Sequence, residues 1–138
     1  MYWICSFGVL LGRLCLSAIF ILAGIGKLMD YEGTMQYMKA KGFTLIPLFL
    51  ISAALLEIIA GLLLVIGFKT RWAATLLILF LIPTTIIFHD FWTSDPSMYQ
   101  TKLNDFFRNV AIIGGLLYVL CSGAGKCSFD VCCCKTKP

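Results

Sequence analysis

Four stretches of the chain are strongly apolar and long enough to act as units: 7–28, 45–67, 72–91 and 106–121. Shorter polar segments separate them: 29–44, the basic turn FKTR, and WTSDPSMYQTKLND. The second stretch, LIPLFLISAALLEIIAGLLLVIG, has 23 residues and a single charge. As a helix rising about 1.5 Å per residue it extends roughly 35 Å, enough for a hydrocarbon core of about 30 Å. The fourth, FFRNVAIIGGLLYVLC, is the shortest. The pattern predicts an all-α fold, a four-helix transmembrane bundle over residues 1–121, followed by a Cys- and Lys-containing tail over 122–138. The first stretch has no basic n-region and no A-x-A cleavage site, and it contains Arg13 and Lys27. It therefore reads as a retained helix rather than a signal peptide.

The one charge in the second stretch is Glu57, thirteenth of its residues. A carboxylate at that depth costs several kcal/mol unless it is protonated, paired or hydrated, so intramembrane acids mark function by default. Ala53, Ala60 and Gly61 share its helical stripe, which turns the carboxyl toward the bundle interior. Arg108, Lys27 and Arg13 are all candidate partners.

In an up-down bundle, the end of the first helix, the start of the second, the end of the third and the start of the fourth share one membrane face. That face receives Lys27, His89, Asp90, Arg108 and Asn109, with Gln100 in the loop above and Glu57 below, near the midplane. Arg13 enters from the opposite face, roughly 9 Å deep by helical rise. These residues form the candidate polar site. Small residues mark faces where backbones approach in lipid: the GxxxG pair Gly8 and Gly12, the alanines and glycine flanking Glu57, and Ala111, Gly114 and Gly115. Pro83, followed by Thr84 and Thr85, predicts a kink whose freed carbonyls the threonine hydroxyls help to satisfy.

Composition supports the membrane class: 60% hydrophobic residues, 13% charged and a mean hydropathy of +0.94, against roughly 25% charged in soluble domains. The net charge of +4 is spread through loops and tail, which gives no nucleic-acid footprint. With both termini inside, five basic residues (Lys69, Arg71, Lys126, Lys135, Lys137) face the cytoplasm and three (Lys39, Lys41, Lys102) face out. That bias favours cytoplasmic termini. A single histidine without HxxxH spacing makes no metal site, and no haem, flavin or Fe–S signature is present. Of the seven cysteines, Cys127, Cys132, Cys133 and Cys134 lie in the tail without a CxxC. In the cytosol they would stay reduced. Other readings of them are soft-metal binding, disulfides or palmitoylation beside the nearby lysines.

His89-Asp90-Phe91-Trp92 reads either as an interfacial cap in the aromatic belt or as a proton-carrying, quinone-headgroup-binding histidine, since imidazole titrates near pH 6.5. Together with Gly12-Arg13, Gly24-Ile25-Gly26-Lys27, Gly67-Phe68-Lys69-Thr70-Arg71, Phe107-Arg108-Asn109, Gly114-Gly115 and Ser128-Phe129-Asp130, it resembles the DoxX family of bacterial inner-membrane proteins. The likeness covers about 8–130 and departs over 131–138. It implies a four-helix bundle in the inner membrane. It also implies kinship with DoxD, the small membrane partner of thiosulfate:quinone oxidoreductases, with thiol-redox proteins and with eukaryotic membrane chaperones. Three functions compete. One is a membrane subunit of a quinone- or sulfur-linked redox system, with Lys27 and Arg108 attracting an anion, Glu57 and His89 carrying protons, and the redox centre in a partner protein. Another is a non-enzymatic scaffold or assembly factor whose buried ions fix helix register. The third is a small transporter, for which four short-looped helices have room only as a homo-oligomer.

Overall fold

The structure, a computed structural model, describes residues 2–134, with side chains over 7–131. Among the described residues six helices follow in order: α1 (Tyr2–Met29), α2 (Tyr31–Ala40), α3 (Ile46–Ile66), α4 (Thr70–Phe88), α5 (Pro96–Ser122) and α6 (Phe129–Cys134), with one 3-10 turn at Phe91–Thr93. Among the described residues, four helical stretches are long and apolar enough to cross a membrane: Phe7–Met29, Ile46–Ile66, Thr70–Thr93 and Pro96–Ser122. Leu22, Leu48, Leu79 and Tyr118 point outward from them, as lipid-facing side chains should. Trp72 and Trp92 are exposed and lie about 20 residues apart, bracketing close to 30 Å as a pair of interfacial anchors would.

The spans form two antiparallel pairs. α1 packs on α3, α5 packs on α4, and α3 meets α4, whereas α1 and α5 touch only sparsely. The buried face of α1 runs Arg13, Ser17, Phe20 and Gly24; that of α3 runs Leu50, Ala54, Glu57, Ala60, Gly61 and Leu64. Both follow the three- and four-residue spacing of one helical stripe. Their register is set by two glycines. A Cβ on Gly24 would come 2.8 Å from the Ala54 carbonyl oxygen, and one on Gly61 would come 2.7 Å from Ile21 Cγ1. The GxxxG pair plays no such part, because a Cβ on Gly8 or Gly12 would meet nothing within 4 Å. Phe20, Leu64, Leu77 and Leu116 fill the centre.

Two polar segments read as connections contain helix. Within 29–44, Asp30 caps α2 by accepting from Gly33 N at 3.2 Å, and the helix buries Met38. α5 starts at Pro96 rather than Phe106. Proline at a first helical position loses no bond, because that N–H has no partner in the helix. Gln100, Lys102, Asn104 and Asp105 make these first turns too polar for a hydropathy window, though not too polar for a helix rising into the headgroups. Pro83 leaves α4 continuous from Thr70 to Phe88. The hydroxyls of Thr84 and Thr85 donate to the carbonyls of Phe80 (2.8 Å) and Leu81 (2.6 Å).

The tail folds back under the bundle. Asp130 N donates to Gly67 O at 2.9 Å, and its carboxylate accepts from Lys69 N at 2.7 Å and Thr70 N at 3.0 Å. An acid 60 residues away in sequence thus caps α4. The cap also steadies Lys69, which holds a left-handed φ of 46°, a conformation costing a non-glycine residue roughly 1–2 kcal/mol.

Candidate functional site

The site begins with Glu57. It is buried, 4% exposed, and its Oε2 accepts from Lys27 Nζ at 2.6 Å. Lys27 comes from the last turn of α1, and its long stem lets the ammonium reach an acid deeper in the membrane while the side chain stays 27% exposed. Breaking such a pair from the lysine side strands a carboxylate in a medium that cannot solvate it. Of the three candidate partners for Glu57, Lys27 is the one in contact. Arg108 instead pairs with Asp105 one turn earlier, at 3.1 Å, and is mostly exposed.

Above this pair a second polar layer closes the same face. Asp90 accepts from Lys41 at 2.5 Å, Lys102 at 3.1 Å and the Thr93 hydroxyl at 2.6 Å. It therefore ties together the end of α2, the turn after α4 and the start of α5. His89 ends α4 with Nδ1 3.9 Å from Asp105 Oδ2. Asn109 is buried and donates to Thr85 Oγ1 at 3.1 Å. Gln100 stays outside, bonded to Asn104 at 3.2 Å.

Two cavities meet inside this end. One, about 490 Å³, lies where α1 stands away from α4 and α5; its polar wall is Lys27, Glu57, Thr84, His89, Arg108 and Asn109, and its apolar wall includes Phe20, Leu22, Leu81 and Ile112. The other, about 410 Å³, lies under α2 and is lined chiefly by Tyr37, Met38, Phe43, Phe49, Phe80, Pro83 and Phe88. Lys27, Thr84 and His89 line both. The aromatic lobe is a built wall: Phe43 stacks on Phe88 at 5.4 Å, Tyr37 meets Phe88 at 5.5 Å, and Tyr37 Oη donates to Phe88 O at 2.8 Å. An elongated amphiphile, polar at one end and flat or oily at the other, fits this pair of chambers. Sequence reasoning missed the contribution of α2. Its signal was present in Thr34, Tyr37 and Met38, spaced to face one way on a helix.

Arg13 belongs to a different place. It is 2% exposed and donates to the carbonyls of Ala124, Val65 (3.3 Å) and Cys127 (2.9 Å). Gly67 leaves it room, for a Cβ there would come 2.7 Å from Nη1. Of the three guanidinium nitrogens, Nε alone lacks a partner among the described residues. Near it, burial pushes the Asp130 carboxyl up, but hydrogen bonds from Thr70 and Lys69 and the Arg13 charge outweigh burial and hold it below its ordinary value. Among the described residues Cys15, Cys121 and Cys127 are free thiols. The side chains of Cys5 and Cys132–Cys134 lie outside the described ones, and no metal-binding group of His, Cys, Asp and Glu occurs among the described residues.

The DoxX family profile matches residues 8–90, more than half of the chain. The chain belongs to the DoxX family. Within the family it is 34% identical over 122 residues to the inner membrane protein YphA of Escherichia coli (strain K12), covering 88% of this chain and 87% of that one. It is 36% identical over 126 residues to inner membrane protein YqjF of the same organism, covering 89% of each. A shorter match, 38% over 78 residues, covers 55% of this chain and 26% of the Surfeit locus protein 4 homolog of Schizosaccharomyces pombe. No solved structure matches. With four spans and these relatives, this DoxX protein is a multi-pass inner-membrane protein. Lys27, Glu57 and His89 fall inside the family match; Arg108 and Asn109 fall beyond it.

Proposed function

We propose that this DoxX protein is the membrane subunit of a redox system, and that its bundle binds a quinone between the Lys27–Glu57 pair and the aromatic lobe under α2. The observation that carries the reading is the shared wall. Lys27, Thr84 and His89 separate a polar chamber from an aromatic one at membrane depth, the arrangement a carbonyl-bearing ring with an oily tail requires. A bound quinone supplies two-electron, two-proton chemistry, and the electrons come from a partner protein carrying the redox centre. This chain's residues do the rest. Lys27 Nζ, already 2.6 Å from Glu57, is placed to donate to a ring oxygen. His89 faces both chambers, and an imidazole can both give and take a proton through its two ring nitrogens. The Asp90 knot holds the mouth of the site in place through α2 and α5. With the tail face cytoplasmic, as the five-to-three distribution of basic residues favours, the site opens toward the outer leaflet.

Binding of a short-chain quinone to the full chain in mild detergent tests this. Lys27→Met and His89→Asn are each expected to weaken binding by about tenfold, the size of a lost charged or strong hydrogen bond, with folding yield retained for His89→Asn. Equal affinity in all three proteins would remove the site. A scaffold whose ions serve only register predicts that equality.

A further inference from the structure

A third cavity lies at the opposite end of the molecule, about 670 Å³, between the α3–α4 turn and the tail. Its rim carries Lys69, Arg71 and Lys126, and its one acid, Asp130, is occupied in capping α4. The helix N-terminus itself is thereby closed, so whatever binds here is held by side chains. We infer that this pocket binds the phosphate-bearing headgroup of an anionic phospholipid.

The two cations of the turn are held in position. Lys69 Nζ lies 5.8 Å from the centre of its neighbour Phe68, and that ring packs edge-on against Phe129 of the tail at 5.8 Å. Arg71 reaches the other way, with Nη2 3.4 Å from Cys121 O, and a Cβ on Gly123 would lie 3.8 Å from its guanidinium. Among the described residues neither makes an ion pair with a carboxylate. Both are exposed. Next to them Trp72, 71% exposed at the start of a span, marks the headgroup level. A basic pocket at that level, between transmembrane helices, has the chemistry that recognises anionic headgroups. Trp72 and the lipid-facing side of α4 leave the acyl chains a path into the bilayer, which a soluble phosphate has no use for.

The test uses the full chain in mild detergent with equal amounts of phosphatidylglycerol and phosphatidylcholine of matched acyl chains, the retained lipid being counted by native mass spectrometry. The wild type is expected to retain phosphatidylglycerol preferentially, and each removed cation to lower that preference about fivefold. Lys69→Gln/Arg71→Gln should approach parity, while Lys39→Gln at the other face should change nothing. If the double variant folds poorly, Lys69→Gln alone carries the test, because its side chain is exposed and makes no carboxylate pair among the described residues. Equal retention of the two lipids by the wild type, or an undiminished preference in the Lys69 variant, would overturn the inference. Displacement of the lipid by millimolar inorganic phosphate would do so too, by identifying the ligand as a free anion.

Discussion

α1 carries a cation near each end of the same face, Arg13 buried and Lys27 half-buried, and the two ends use it in opposite ways. Arg13 is sealed by backbone carbonyls from α3 and the tail, and Gly67 closes over it. Lys27 pairs with Glu57 and keeps part of its side chain open to two cavities. A planar guanidinium suits the first task, since it donates in several directions at once; a flexible ammonium suits the second, since it can redirect a donor when a ligand arrives. Buried charge in one bundle therefore serves two ends: a closed joint that fixes the tail, and an open pair beside space that a molecule can enter.

Replacing Arg13 should give the largest effect on stability. Arg13→Met strips donors from three buried or half-buried carbonyls, at an expected cost of about 3 kcal/mol. Arg13→Lys should recover only part of it, because one ammonium cannot span divergent carbonyls. Unfolding in detergent measures both, and a loss under about 0.5 kcal/mol, the range of ordinary surface substitutions, would erase the distinction between the ends.

Glu57→Leu should cost less, about 2 kcal/mol, because Lys27 is partly open and can turn toward the cavity. Glu57→Gln, which still accepts from Lys27, should cost about 1 kcal/mol. If Leu and Gln behave alike, the pair is not held by hydrogen bonding. A change of the same small size is expected from Asp130→Ala, about 1 kcal/mol as for a lost helix cap, with faster proteolysis across 123–128. Asp130 titrates below its ordinary value in the folded chain. Its contribution is therefore complete at neutral pH and is lost only as pH falls through that lowered value. Tail release measured against pH should show an acid-range step in the wild type and none in Asp130→Asn.

The spans and the inward turn of Glu57 were legible in the sequence because hydropathy and helical period are local properties. The partner of Glu57 was not, because the choice among Lys27, Arg108 and Arg13 depends on how α1 slides along α3. Gly24 and Gly61 set that register, while the more conspicuous Gly8 and Gly12 face away from the bundle. The role of Arg13 was illegible for another reason: its partners are backbone carbonyls, which every residue carries and no composition reveals. Asp130 stood out by resemblance to a family motif, yet its task as the cap of α4 needed the fold of the tail. The first turns of α5 were hidden by polarity suited to the headgroups. The aromatic lobe was hidden because it depends on α2 folding over the ends of α3 and α4.

The open end is the central claim, and the lipid extract of the purified protein tests it most directly. Quinone is extracted from the wild type, Lys27→Met and Arg13→Lys after mild-detergent purification and measured per chain by its absorbance and mass. The account predicts quinone retained by the wild type and by Arg13→Lys, and lost from Lys27→Met. No quinone above detergent background in the wild type, or equal content in Lys27→Met, would contradict it.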